Sequence, residues 1–341
     1  MNAFCIVEPG KSELREMPKP QMRDGDVLLQ VRHVGFCGGD LNAFRGTFPL
    51  QEYPNVIGHE VGAVIEEISP GVPEHFRPGD KVTVSPYESC GACSSCRNDR
   101  PNACRDNRTM GVRRPGAMTE YISVPWRDLY TSSLLETKEL ALVEPLTVGF
   151  HAAARGRVTE GDTVAVFGCG LVGLGAIAGS ATRGANVIAI DVVDTKLVVA
   201  ASAGANHTIN SGSDNLHESL LELTDGLGPD VCVEAVGRPE SYRAAVEEIC
   251  FTGRVVCIGY AKKRVEFETR LFVQKELDIL GSRNCLGDFP AVIDVLEKNQ
   301  FPVDDVISKV VRLDDAVEAL EAWNDAPGEF SKILVAMSDS I

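Results

Sequence analysis

An apolar run, Thr163–Phe167, leads directly into Gly168-Cys169-Gly170-Leu171-Val172-Gly173, and a run of small residues continues from Leu171 towards Arg183. A strand that turns through glycines into a helix N-terminus makes a cradle for a pyrophosphate. The first glycine permits the turn, the second lets the backbone approach the phosphates, and the third lets helix pack on strand. Spaced glycines alone recur by chance, but here an acid, Asp191, closes the next apolar run, Asn186–Asp191. A carboxylate at that place accepts the adenosine ribose hydroxyls and repels a 2′-phosphate. Val192-Val193-Asp194 bring no arginine or lysine after it, which favours NAD over NADP. Lys196 either reaches the ribose edge or is an exposed helix lysine. The alternative to a dinucleotide site is a glycine turn with only a structural duty in the same kind of sheet.

From about Phe150 to Asn284 strand and helix signals alternate. Strands read at Thr163–Phe167, Asn186–Asp191, His207–Asn210, Asp230–Ala235, Arg254–Ile258 and Leu277–Gly281, with helical runs such as Thr195–Ala203, Leu216–Thr224 and Ser241–Cys250 between them. That alternation predicts an α/β, doubly wound Rossmann domain. The turns at Ala235-Val236-Gly237 and Ile258-Gly259-Tyr260 fall at its carboxyl edge, so Ala235, Ile258 and Gly259 are expected to hold the nicotinamide half of the cofactor.

The first 149 residues read differently. Short β-type runs, Asp26–Phe36, Val61–Ile68 and Gly79–Ser85, are separated by turns without long helices, which predicts a mostly antiparallel β domain. A loop in this part carries Cys90-x2-Cys93-x2-Cys96-x7-Cys104. Four thiolates so spaced can close a tetrahedron around a structural zinc, with no position left for water; the alternative is a lobe without metal or with disulfides. The other cysteines of the eleven are scattered, several in apolar strands, as expected in a reducing compartment, hence the cytoplasm. The 33 basic residues against 49 acidic ones give a net charge of −16, which argues against nucleic acid or an anionic membrane as partner. An acidic cytosolic enzyme and a protein adapted to salt both fit that balance. No run has the length of a membrane span or of a signal-peptide core.

Three dispersed motifs add a thiolate, an imidazole and carboxylates: Cys37 in Gly35-Phe36-Cys37-Gly38-Gly39-Asp40, His59 and Glu60 in Gly58-His59-Glu60, and Glu144 in Val143-Glu144-Pro145-Leu146. Singly, such residues are usually a buried small hydrophobe or a satisfied core histidine. Together they are the mixture that a catalytic zinc with an open position requires.

Taken in order with the four-cysteine loop and the glycine turn, these motifs resemble those of the zinc-dependent medium-chain alcohol and polyol dehydrogenases along the whole chain. Glu144-Pro145-Leu146-Thr147-Val148-Gly149-Phe150-His151-Ala152 looks like the sorbitol and threonine dehydrogenase branch. The resemblance implies a discontinuous GroES-like catalytic domain, 1–149 and 285–341, with the NAD-binding domain, 150–284, inserted and an active-site cleft between them. It implies two zincs per chain. One is held by Cys37, His59 and Glu60, with Glu144 as a further ligand or as the holder of the zinc-bound water. The other sits in the Cys90, Cys93, Cys96, Cys104 lobe. It also implies a homodimer or homotetramer pairing near Leu277–Leu280.

The chain departs from the family where a Ser or Thr and a His usually relay the alcohol proton: Gly39 and Asn42 stand there. Glu60, Glu144 or an ordered water is the expected replacement. Gly281-Ser282-Arg283-Asn284, with Met110-Gly111-Val112 upstream, looks most like bacterial sugar-acid dehydrogenases that oxidise C5 of a hexonate such as L-gulonate or L-galactonate. Arg45, Arg113 and Arg283, with Asn284 and the neighbouring Arg114, are then candidates to bind the substrate carboxylate. The alternatives are a polyol or L-threonine-type dehydrogenase and a non-catalytic nucleotide-binding relative, the last distinguishable by metal content.

Overall fold

In the computed structural model, which describes residues 1–337, the chain forms two compact units. The first contains Met1–Glu144, Phe289–Glu297 and the segment from Val303; the second contains Pro145–Asp288 and Lys298–Pro302. Positions 338–341 of the expected C-terminal segment lie outside the described residues. The second unit begins at Pro145 rather than after Gly149 because the helix Val143–Arg155 packs face to face on the helix Leu171–Ala181. Gly149 and Gly175 let their backbones touch: a Cβ on Gly149 would collide with the facing helix backbone, and one on Gly175 would lie 2.5 Å from the Leu146 carbonyl oxygen.

The first unit is built on a seven-stranded sheet. Its axis is the strand Asp26–Gly35, whose apolar positions Val27, Leu29, Val31 and Val34 are almost fully buried. This strand pairs antiparallel with Glu60–Ile68, Tyr121–Pro125 and Lys332–Ala336. The register sets Gly35 opposite both Glu60 and Leu334. The last of these strands starts at Lys332 and pairs parallel with Ile307–Arg312. A three-stranded sheet, Lys11–Glu16, Asn2–Glu8, Asn55–Val56, and a ribbon of Tyr87–Glu88 with Arg108–Thr109 are the other sheets of this unit among the described residues. Phe4, Phe36, Ile57, Ile65 and Met118 are among the large side chains that fill the core.

The second unit is a six-stranded sheet in the order His207–Asn210, Asn186–Asp191, Thr163–Phe167, Val231–Glu234, Arg254–Cys257, Asp278–Gly281. Every pairing is parallel. Parallel strands are covered on both faces, so Val164, Val166, Val187, Ala189, Val231 and Val233 are all buried, and the strands read as unbroken apolar runs. The chain order reverses between Thr163–Phe167 and Val231–Glu234, which places the ligand crevice at their carboxyl ends, beside Gly168 and Ala235.

Candidate active site

Cys37 leaves the central strand and caps the helix Gly38–Phe44. Two glycines open that helix, so propensity does not make it; a capping box does. The Cys37 sulfur accepts the Gly39 amide at 3.4 Å, and Asp40 Oδ2 accepts the Cys37 amide at 2.8 Å. Gly39 therefore supplies a backbone donor to the Cys37 sulfur where family members have a hydroxyl. The other relay position, Asn42, engages Thr47 through its side chain.

The donor atoms of Cys37, His59 and Glu60 lie within 4.8 Å of one another. Glu144 stands outside this trio, buried and hydrogen-bonded through Oε1 by the Tyr87 hydroxyl. Burial opposes a charge on His59. The Cys37 sulfur bonded to its ring, with Asp40 and Glu144 beyond, nevertheless holds its pKa well above the ordinary histidine value. Burial raises Asp40 to about 6, and burial raises Glu144 against the pull of His59. His59 Nδ1 is buried without a protein partner. A largely buried cluster of thiol, imidazole and carboxylate donors, with an orphaned imidazole nitrogen, fits a zinc ion.

Lys332 is the residue that sequence reasoning missed. Its Nζ donates to Glu60 Oε1 (2.9 Å) and Oε2 (2.6 Å) and to the Phe36 carbonyl (2.7 Å), which uses all three ammonium protons. Side-chain exposure is 5 % for Lys332 and 1 % for Glu60, so the pair is dry. Gly35 makes room for it, since a Cβ there would collide with Glu60 Oε2. A lysine opening an otherwise apolar strand was the signal available in the sequence.

The four-cysteine loop folds around the short helix Ser94–Arg97. Cys90 and Cys104 have their sulfurs 3.5 Å apart, Cys93 and Cys96 3.5 Å, and Cys93 and Cys104 3.8 Å. A tetrahedron with zinc–sulfur bonds of about 2.3 Å has edges of about 3.8 Å, so the cage has the size of the ion. None of these cysteines is in a disulfide.

At the glycine turn Gly168 has φ +96°, and a Cβ on it would lie 2.8 Å from Val236. A Cβ on Gly173 would collide with the Gly168 carbonyl, whereas one on Gly170 would meet nothing within 4 Å. Gly170 caps the helix Leu171–Ala181 without a side-chain hydrogen bond, which leaves the helix amides facing open space. The three glycines thus divide turn, approach and packing as the motif requires, and the cradle fits a pyrophosphate. Asp191 ends its strand with Oδ2 accepting the Cys169 amide (2.8 Å) and Oδ1 accepting those of Val192 (2.8 Å) and Val193 (3.1 Å). Half-buried Lys196 lies in the first turn of the helix Asp194–Ser202.

The candidate substrate residues are dispersed between the units. Arg45 donates to Asn324 Oδ1 (2.7 Å) and to its carbonyl (2.8 Å), closing the end of the helix Ala316–Asp325. That is a structural duty which the sequence did not suggest. Arg114 is likewise spent on the carbonyls of Arg108 and Pro86 and on Glu88. Arg113 is half-buried in the first unit, and Arg283 and Asn284 follow the last strand of the second.

A parallel nucleotide sheet together with a cysteine–histidine–glutamate donor set and a separate four-thiolate cage defines a metal-dependent dinucleotide oxidoreductase. Residues 23–133 match the alcohol dehydrogenase GroES-like domain, and residues 172–298 match the zinc-binding dehydrogenase domain. An uncharacterized zinc-type alcohol dehydrogenase-like protein of Haemophilus influenzae is 33 % identical over 98 % of both chains. Sorbitol dehydrogenase of Bacillus subtilis is 28 % identical over 98 % of this chain and 97 % of its own. L-Galactonate-5-dehydrogenase of Escherichia coli is 28 % identical over 89 % of each. The crystal structure of the rspB alcohol dehydrogenase of E. coli CFT073 with NADH superposes with a TM-score of 0.90, at 30 % identity and 99 % coverage of each chain. The chain belongs to the zinc-type alcohol dehydrogenase family and is a zinc-dependent dehydrogenase. No described helix is long and apolar enough to cross a membrane.

Proposed function

We propose that the protein oxidises a secondary alcohol of a sugar acid with NAD, at C5 of L-gulonate or L-galactonate, to give the 5-keto acid, fructuronate or tagaturonate. The likeness to L-galactonate-5-dehydrogenase over most of both chains carries this reading. Asp191, with no cation among the three residues after it, supports NAD over NADP. Sorbitol dehydrogenase is equally similar, which keeps a polyol as the second reading. NAD assays over hexonates and hexitols decide between them. Turnover of hexonates well above hexitols is expected; comparable turnover of sorbitol and every acid would sink the carboxylate reading.

Cys37, His59 and Glu60 would hold the catalytic zinc, and the four-cysteine lobe the second. When bound, zinc supplies Lewis acidity that makes a coordinated hydroxyl easier to deprotonate. Glu60, with both oxygens committed to Lys332, is poorly placed to take that proton as well. Glu144 is the better base: the Tyr87 hydroxyl on Oε1 orients its carboxylate. Tyr87→Phe is expected to lower kcat by about 10–100-fold, within the range of lost acid–base positioning, with the KM for NAD unchanged. An unaltered kcat would remove Tyr87 from this role.

A further inference from the structure

Arg114 stands among the candidates for the substrate carboxylate, yet its contacts lie within the protein. Its side chain is 19 % exposed and lies along the ribbon of Tyr87–Glu88 with Arg108–Thr109. Nη2 donates to the Pro86 carbonyl (3.1 Å), at the head of one strand, and Nε donates to the Arg108 carbonyl (3.1 Å) in the other. Glu88 Oε2 stands 3.8 Å from Nε. Burial opposes the charge on the guanidinium, and the carboxylates of Glu88 and Asp128 work the other way. One planar cation thus joins both strands of a ribbon that has only two residue pairs of its own.

The backbone around Arg114 is fastened elsewhere. Its carbonyl accepts the Gly111 amide (2.9 Å) and Asn55 Nδ2 (3.4 Å), and Asn55 Nδ2 also donates to the Val112 carbonyl (3.2 Å). The Gly116 amide donates to the Val56 carbonyl (2.7 Å), and the Ala117 amide to the Gly58 carbonyl (2.9 Å). Gly111, with φ +75°, presses so close that a Cβ on it would lie 2.7 Å from the Gly58 amide nitrogen. Gly58 runs straight into His59 and Glu60. The loop 110–117 is therefore seated on the segment that supplies two of the three donors of the metal site, and Arg114 ties the ribbon to that seat. From the ribbon, Tyr87 sends its hydroxyl to Glu144 Oε1. An arginine that only closed carbonyl groups would steady a hairpin; this one joins the side of the site that carries Tyr87 to the side that carries His59.

We propose that Arg114 is a positioning residue for the base: by holding the ribbon to the loop on Gly58, it sets the Tyr87 hydroxyl on Glu144 and so aims that carboxylate. This rests on the reading of Glu144 as base and Tyr87 as its orienting partner, and the experiment separates the two. Tyr87→Phe, Arg114→Lys and the double variant are compared with the wild type in kcat, KM for NAD, zinc content and hydrogen exchange of 86–88 and 108–110, with whichever hexonate or hexitol the wild type oxidises. Arg114→Lys keeps a cation beside Glu88 and Asp128, but its donors sit on one atom and replace the fork on two carbonyls poorly. It is expected to lower kcat by about tenfold, to keep both zincs and the KM for NAD, and to speed exchange of the Met110 amide, which bonds the Pro86 carbonyl. Added to Tyr87→Phe, it should cost no further turnover, because the ribbon then has no hydroxyl to misplace. A loss that multiplies the loss in Tyr87→Phe, a missing zinc, or wild-type kcat in Arg114→Lys would overturn the inference alone. If Tyr87→Phe itself leaves kcat unaltered, the reading of Tyr87 falls and this inference falls with it.

Discussion

Exchanging Cys104 for serine will lower the zinc content from two ions per chain to one and will cost much of the turnover. Cys104 is the fully buried corner of the cage, with its sulfur 3.5 Å from that of Cys90 and 3.8 Å from that of Cys93. A serine hydroxyl does not ionise at neutral pH and cannot replace a thiolate. Structural zinc contributes about 10–16 kcal/mol to the folding of small zinc peptides, so the lobe has much to lose. It has little else to stand on, because the helix Ser94–Arg97 buries none of its residues. The damage should travel. The chain enters the lobe from Tyr87–Glu88 and leaves it through Arg108–Thr109, and these segments form a ribbon of only two residue pairs. A ribbon that short has no stability of its own, so the metal cage closes it and thereby sets Tyr87 against Glu144. Metal analysis, limited proteolysis of 90–108 and kcat together test the chain of cause. Cleavage within the lobe, one zinc remaining, and a fall in kcat like that of Tyr87→Phe are expected. Retention of both zincs would refute the cage, and normal turnover with the lobe cleaved would refute its link to Tyr87.

The nucleotide-binding unit was legible in the sequence because parallel strands announce themselves. Strands such as Val164–Phe167 and Val231–Val233, buried on both faces, must be unbroken apolar runs, and glycines or acids mark their ends. The zinc lobe was legible because its ligands are close in sequence, so spacing alone carries the geometry. What escaped was non-local or locally contradictory. The helix Gly38–Phe44 begins with two of the poorest helix formers, and only the hydrogen bonds between Cys37 and Asp40 reveal why it forms. The strand Ile307–Arg312 is an edge with Ser308, Lys309 and Val310 exposed, so it lacks an apolar signature. Glu234 lies inside the expected strand Asp230–Ala235 with nothing to mark it, since two of its three partners are backbone amides and amides have no sequence. Arg45 looked like a ligand for a carboxylate, and the helix end that it closes lies 279 positions away.

Lys332 shows the same limit beside the metal site, because it meets Glu60 across 272 positions. Lys332→Met is expected to destabilise the zinc-free protein by about 3–5 kcal/mol, because it leaves Glu60 as a buried carboxylate without its ammonium partner. The magnitude follows from desolvation rather than from attraction: both side chains are almost inaccessible to water, so water cannot take the place of the missing ammonium. The double variant Lys332→Met/Glu60→Gln should then recover most of the lost stability, since replacing both members of a buried pair is far cheaper than removing one. Zinc should stay bound in Lys332→Met, because deleting one cation beside the donor set does not weaken its hold on another. Turnover should nevertheless fall in both variants, because both take away the anchored carboxylate that faces Cys37 and His59. Thermal or denaturant unfolding of the two single variants and the double variant, with zinc content measured on each, gives the coupling directly. If the double variant is as unstable as Lys332→Met, the lysine matters for the packing of its strand and not for its charge. If stability returns while turnover does not, the pair exists to hold Glu60 beside the metal site, at the end of a strand that the fold could otherwise have closed with an apolar residue.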